Sequence, residues 1–319
     1  MSNTISFAEK VKEELCSNEY ESKDRLMALL SAYIRINGTL IFRNKKELLL
    51  LKSENAKISR FIYEKLNELF SADAHISFAN KGNIKNKTVY LTTIEDKTDE
   101  IINALSISYL EGKIPKEIVN NDDTISGYLA GAFLACGSIN SPENSNYHLE
   151  FAVNNENYAK WLSKLFGKYK NSNIEPKITT RRDKFVIYFK KSEQIANFLI
   201  LSGAVVSCMD FENIRVNRDF TNYSNRLDNM DMANMKKTIE TANRQIEEIK
   251  LIDAKLGIDN MSNTKAKLLA KLRLENEQSS MQELADLFSE EYKENVTKSN
   301  INHLFRYLHS LFERLNREK

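Results

Sequence analysis

The sequence predicts an α+β protein: two copies of one α/β unit, followed by an all-helical segment. Three observations carry that prediction. Only three prolines and nine glycines occur in 319 residues, so little interrupts helices. Stretches with apolar residues three or four apart alternate with short strand-like runs as far as Gly203, and helical spacing alone resumes at Arg226. The order of elements that leads to Gly38 and beyond then recurs at an offset of 99, with Gly137 in the place of Gly38.

The elements follow in order. Ser6 and Glu9 form a capping-box pattern ahead of Phe7, Val11 and Leu15, which share one helical face. "DRLMALLSAYIRING" (24–38) is a helix stopped by its glycine, "ELLLLKS" (47–53) a buried strand and "ISRFIYEKLNELF" (58–70) an amphipathic helix. "TVYLTTI" (88–94) and "KTDEIINALSI" (97–107) add a strand and a helix. The second round runs "ISGYLAGAFLACGSI" (125–139), "YHLEFAVNN" (147–155), "ENYAKWLSKLF" (156–166), "DKFVIYFKK" (183–191) and "SEQIANFLILSG" (192–203). Residues 204–225 read as a polar join. Met232, Met235, Ile239, Ala242, Ile246 and Ile249 then form an apolar helical stripe, and "TKAKLLAKLRLENEQ" (264–278) a further short helix.

Composition narrows the function. Formal net charge is +2, with 18 Lys/Arg against 19 Asp/Glu in residues 1–126, 10 against 8 in 127–214 and 18 against 17 in 215–319. No segment is a polycation, so any nucleic-acid binding rests on local patches. Cys16, Cys136 and Cys208 are far apart and lack a CxxC or a neighbouring histidine, which argues against a zinc knuckle and a disulfide framework. No apolar run approaches the roughly 20 residues of a membrane span, and the charges of "MSNTISFAEKVKEELC" break any signal-peptide core. A cytoplasmic protein without cofactor or metal is expected.

Gly127–Ile139, "GYLAGAFLACGSI", is the most informative stretch. Each half carries a helix ending at a glycine after small residues, Ser31 and Ala32 in one and Ala130 and Gly131 in the other, which lets two helices approach closely. The pair resembles the LAGLIDADG homing-endonuclease fold, with two halves forming a pseudo-dimer. In that family an acid directly before each terminal glycine binds a divalent metal that activates water for phosphodiester cleavage. Asn37 and Cys136 stand at those positions here, with Arg35 and Leu134 two residues earlier. Neither Asn37 nor Cys136 is a hard carboxylate ligand, and Asp122, Asp123 and Glu143 are nearby only in sequence. The expectation is a scaffold without catalytic residues.

The sheet offers a second candidate surface. "KITTRRDKFVIYFKK" (177–191) has six basic residues against one acid. On a strand, Phe185, Ile187 and Phe189 share one face and Lys184, Tyr188 and Lys190 the other. Arg181, Arg182, Lys184 and Lys190 are therefore candidate DNA-phosphate contacts, weighed against a plain solvated face. "TVYLTTI" in the first half has no Lys or Arg, which argues against a grip along the whole saddle.

At the C-terminal end, Ser280 and Glu283 form another capping box, opening a helix over 281–288 with Leu284 and Leu287 inward. A polar connection, Ser289 to Val296, leads to "TKSNINHLFRYLHSLFERL". There Ile301, Leu304, Phe305, Leu308, Leu311 and Phe312 fall in one arc and Ser299, Asn302, His303, Arg306 and Ser310 opposite. Lys, Ser, Asn, His and Arg on the outer first turns suit a major groove. The candidate DNA-contacting set is Ser280, Gln282, Lys298, Ser299, Asn300, Asn302, His303, Arg306 and Ser310. His303 and His309 lie six apart on different faces, which does not make a metal site. The alternative for the pattern is a plain helical hairpin with a solvated face.

Taken together, "FAEKVKEELC" (7–16), "ISGYLAGAFLACGSINSPE" (125–143), "FENIRVNRDFTNYSNRLDN" (211–229), "ANMKKTIETANRQIEEI" (233–249) and "TKSNINHLFRYL" (297–308) resemble the WhiA family of bacterial regulators across nearly the whole chain. The resemblance implies a degenerate LAGLIDADG domain joined to a helix-turn-helix. It places a first half at 1–124, a second half at 125–217 and a helical linker with helix-turn-helix at 218–319. It also implies a nucleoid-associated partner of double-stranded DNA, needed for sporulation septation in some bacteria and for cell division and chromosome segregation in others. The sequence departs from the family in two places. "SEEYKENV" replaces a short proline-containing turn, and Met230 stands where cysteine is common. The competing class of function is an adaptor that binds a protein partner and touches DNA only weakly.

Overall fold

The computed structural model describes residues 5–43, 46–80, 88–108, 116–170, 172–293 and 295–317. The chain divides into two compact units, residues 1–218 and 219–319.

In the first unit, α1 (Phe7–Ser17) opens with the expected capping box: the Ser6 hydroxyl accepts the Glu9 amide, and the Glu9 carboxylate accepts the Ser6 amide. Helix α2 (Lys23–Asn37) leads into β1 (Gly38–Arg43), β2 (Lys46–Ser53), α3 (Ala56–Phe70), β3 (Ala74–Asn80), β4 (Thr88–Ile94) and α4 (Thr98–Ala104). The second half repeats the order with α5 (Asp122–Cys136), β5 (Gly137–Ile139), β6 (Leu149–Val153), α6 (Glu156–Phe166), β7 (Lys177–Arg181), β8 (Lys184–Phe189) and α7 (Ser192–Ser202). Each half builds a four-stranded antiparallel sheet with matching topology, β1-β2-β4-β3 and β5-β6-β8-β7. The duplication expected from the repeated element order is therefore a duplication of topology.

Four of these strands, β1, β3, β5 and β7, were not expected from sequence. β1 and β5 begin at the helix-terminal glycines themselves, with no polar turn to announce them. β7 is exposed along its whole length, so it has no buried face to create alternation. Such outer strands are defined by their hydrogen-bonding neighbour rather than by their own hydrophobicity.

Helices α2 and α5 form the centre of the unit. Gly127 and Gly131 of α5 lie directly against the Arg25 and Leu29 carbonyls of α2, with no room for a side chain. Leu29, Leu30, Ala32 and Tyr33 from α2 and Tyr128, Leu129 and Phe133 from α5 are sealed in one core. Phe133 meets Phe151 and Phe198 at ring-centroid distances of 6.0 and 5.3 Å, in the tilted and edge-on arrangements aromatic rings favour.

The expected polar join at 204–225 is instead the start of α8 (Val205–Leu256), a helix of 52 residues. Two features explain the difference. No glycine or proline occurs between Val205 and Leu256. The Glu14 carboxylate also accepts the first free amides, those of Val206 and Ser207, at 2.7 and 2.8 Å, as a capping side chain does. Cys208 and Phe211 are buried in the first unit.

The second unit contains the remainder of α8, a short 3-10 turn (Ile258–Asn260), α9 (Thr264–Glu275), α10 (Met281–Tyr292) and α11 (Lys298–Arg317). Gly257, at φ 80°, ends α8 in a conformation that favours glycine. Ile249, Ile252, Leu269, Leu284, Phe288, Ile301, Phe305 and Leu308 form its core. The apolar stripe expected from Met232 onward divides: Ala242, Ile246 and Ile249 are buried, whereas Met232, Met235 and Ile239 are exposed.

Candidate nucleic-acid interface

The C-terminal interface is built from α9, α10 and α11. Ser280 caps α10: its hydroxyl accepts the Glu283 amide, and the Glu283 carboxylate accepts the Ser280 amide. That return bond holds the Glu283 carboxyl below its usual value. The helix continues through Tyr292, four residues past the expected end, so the connection is Lys293 to Thr297 and shorter than "SEEYKENV" suggested. Glu294 lies outside the described residues. The extension follows from Phe288 packing inward with the Tyr292 ring stacked on it at 5.5 Å, and from Lys293 closing the helix in a left-handed conformation at φ 53°; Leu287, expected inward, is only half-buried and lies outside the core. Ser289 pins the turn, its hydroxyl accepting the Val296 amide at 3.0 Å and donating to the Ala285 carbonyl at 2.6 Å.

Helix α11 presents two faces. Ile301, Phe305 and Leu308 are buried, with Leu304, Leu311 and Phe312 half-buried beside them. Lys298, Ser299, Asn300, Asn302, His303, Arg306 and Ser310 are all exposed. Thr297 and Asn300 hydrogen-bond to each other at the start of the helix, side chain to side chain at 2.6 Å. Asn300 and Ser280 are thus partly committed to capping, and Gln282 donates to Asp286 at 3.1 Å. Ser310 donates to the Tyr307 carbonyl at 2.8 Å.

Two supports went unseen in the sequence. Arg273 of α9 is only 1% exposed. Its guanidinium donates to the Ser279 carbonyl at 2.7 Å and lies over the Phe305 ring at 5.5 Å, tying the turn before α10 to the buried face of α11. His309 meets Glu248 of α8 at 2.8 Å, which makes it a tether between helices. A basic residue among apolar ones carries no mark of burial in the sequence, so neither pairing was legible.

In the first unit, the tips of α2 and α5 carry the residues that replace the acids. The Asn37 amide donates to the Ala135 carbonyl at 3.3 Å, bridging the two tips. The Cys136 thiol donates to Ala132 at 3.4 Å, and burial pushes it up to about 12 despite the nearby Lys12. It is a neutral thiol at physiological pH and not a thiolate ligand. Asp122 and Asp123 lie at the opposite end of α5, the latter 3.5 Å from Arg25. Among the described residues, no group of three His, Cys, Asp or Glu side chains could hold a metal ion.

The open face of the second sheet brings Lys184, Val186 and Tyr188 of β8 beside Arg181, Thr179 and Lys177 of β7. Lys190 follows the strand, its ammonium 5.5 Å from the Tyr188 ring. The sequence stretch understated its acids. Glu150 of β6 reaches Arg181 at 2.6 Å and His148 at 2.8 Å. Burial raises the Glu150 carboxyl, but the bonds from His148 and Arg181 outweigh that and hold it below its usual value. Arg182 sits with Asp183 in the two-residue turn between β7 and β8, both at positive φ. Arg181 is therefore paired with Glu150, and of the four candidate residues Arg182, Lys184 and Lys190 keep exposed charge, with Lys177 beside them.

The fold and these two surfaces define a class: a duplicated LAGLIDADG-like α/β domain followed by a helix-turn-helix. Residues 23–108 match the WhiA N-terminal LAGLIDADG-like domain, 125–221 the WhiA LAGLIDADG-like domain, and 224–312 the WhiA C-terminal HTH domain. The chain belongs to the WhiA family. A Staphylococcus carnosus protein named probable cell division protein WhiA is 35% identical over 98% of each chain. A Clostridium botulinum protein of the same name is 34% identical over 98% of this chain and 99% of its own. The crystal structure of full-length DUF199/WhiA from Thermatoga maritima shares the fold, with a TM-score of 0.60 at 23% identity over 98% of this chain and 99% of that one. Among the described residues no helix is long and apolar enough to cross a membrane.

Proposed function

We propose that this protein is a sequence-specific regulator that binds double-stranded DNA through α11 and acts in cell division and chromosome segregation, and in sporulation septation where the host sporulates. The observation that carries the reading is the division of α11. Ile301, Phe305 and Leu308 are buried, while Lys298, Ser299, Asn302, His303 and Arg306 stand together in solvent. Asn and Arg are the side chains that pair with base edges, and Lys and Ser hold phosphate at a helix start. Ser280, Gln282, Asn300 and Ser310 flank that face as phosphate contacts. The protein is nucleoid-associated in this reading, and the segments 1–124 and 125–217 present or modulate the DNA-binding segment 218–319.

The LAGLIDADG-like scaffold is proposed to have no nuclease chemistry, since Asn37 and a neutral Cys136 stand where carboxylates would hold metal. Incubation with supercoiled plasmid and Mg²⁺ should leave the plasmid intact; specific nicking would overturn this. Selection of bound fragments from sheared genomic DNA tests the main reading. Wild type should enrich a shared motif that a variant with Ala at Ser299, Asn302, His303 and Arg306 loses. If both proteins enrich the same fragments, Arg182, Lys184 and Lys190 on the sheet are the contacts. If neither enriches any, the adaptor function takes precedence.

A further inference from the structure

The middle of α8 stands outside both hydrophobic cores. Every residue from Asp219 to Lys237 is exposed except the half-buried Ser224. A helix without tertiary packing is marginal in water at such a length. The segment is nevertheless not polar all round: Phe220 is 72% exposed, Tyr223 62% and Met230 53%.

These apolar residues are ordered. Val216, Phe220, Tyr223, Leu227, Met230 and Asn234 follow one another at alternating steps of four and three. That is the 3.5-residue period of a coiled-coil seam, with Phe220, Leu227 and Asn234 at the a positions and Val216, Tyr223 and Met230 at d. Lys237 takes the next d position and ends the seam. Met232 and Met235 lie to one side of it, in line with the buried Ala242 and Ile246.

The residues of the seam indicate what covers it. A parallel, in-register pair of identical helices sets a against a, so that Asn234 meets Asn234 and each amide has a hydrogen-bonding partner. An antiparallel pair sets a against d, and no d position from Val216 to Lys237 holds an asparagine. The flanking charges agree. Arg226 takes a g position and Asp231 the following e position, which face each other across a parallel pair. Within their own helix neither has an opposite charge three or four residues away. A polyanion is a poorer occupant, because residues 219–237 hold three basic side chains (Arg226, Lys236, Lys237) against three acidic ones (Asp219, Asp228, Asp231).

We propose that this seam pairs with the same seam of a second copy of the chain, the two α8 helices parallel and in register, so that the protein self-associates as a dimer. The inference concerns α8 alone and stands whether or not α11 reads DNA.

Sedimentation velocity on the full chain tests it, at protein concentrations from about 1 to about 100 μM, the span of moderate to weak association. A reversible monomer–dimer equilibrium is expected. Leu227→Asp places two acids together in the seam and should weaken the dimer about a hundredfold or more. Arg226→Asp opposes like charges and should weaken it about tenfold. Adding Asp231→Arg to that variant should restore it, which a different register or an antiparallel pair would not do. All three positions are exposed, so circular dichroism of the monomers should be unchanged. A monomer at every concentration would overturn the proposal. So would a dimer that Leu227→Asp leaves intact, or a failure of the double charge reversal to recover the association lost in Arg226→Asp.

Discussion

A methyl group on Gly131 would lie 2.1 Å from the carbonyl oxygen of Leu29. That distance is far inside van der Waals contact, and the obstacle is helix backbone, which cannot swing aside as a side chain would. The close pairing of α2 and α5 depends on it. Gly131→Ala should therefore destabilise the first unit by about 2 kcal/mol, the usual range for overpacking, despite the better helix propensity of alanine. Chemical denaturation followed by circular dichroism measures it. An unchanged midpoint would mean that the helices are farther apart than described.

Ser289 and Val296 make the corresponding test in the second unit. The Ser289 hydroxyl is the acceptor for the Val296 amide and bridges back to Ala285. Ser289→Ala should cost about 1–2 kcal/mol, the penalty for leaving a buried donor unsatisfied. Because the turn orients α11, DNA affinity should also fall. A loss of stability with unchanged affinity would separate the turn from recognition.

Arg306 is exposed on α11, so its removal should spare the fold. Arg306→Ala should weaken binding to a selected fragment by about 1–3 kcal/mol if it pairs with a base. Non-specific duplex binding should change much less. Equal losses on both DNAs would make Arg306 a phosphate contact.

Acid should act on Asp259. Hydrogen bonds from Lys267 and Lys271, at 2.8 and 2.9 Å, hold its carboxyl down at about 2. A lowered folded-state value means that its stabilising effect is complete above the ordinary aspartate value of about 3.9. It is lost as pH falls through about 2. Carbon-detected NMR titration should place the midpoint near 2 in the wild type, rising toward about 3.9 when both lysines are changed to glutamine. A wild-type midpoint at the ordinary value would show that the lysines do not engage it in solution.

Local signals carried much of this architecture. The capping residues Ser6 and Ser280, the terminating glycines Gly38 and Gly137 and the buried arc of α11 are legible because each involves residues within one or two helical turns. The exposed set from Lys298 to Arg306 follows from the same periodicity. The acid-free tips at Asn37 and Cys136 are legible too, because the repeat aligns them.

What the sequence by itself determined is the duplicated α/β unit, its helices, the inner strands β2, β4, β6 and β8, the two-faced α11 and membership of a family. Tertiary structure alone decided the outer strands β1, β3, β5 and β7, the continuity of α8 through a polar stretch, and the partners of its charges. Glu150 pairs with Arg181, and Glu14 caps α8 from 192 residues away. Arg35 and Lys184 meet at one cavity although they lie in different halves. The physical reason is range: periodicity and capping act within a few residues along the chain, whereas pairing of edges and charges depends on which distant residues the packed core brings together.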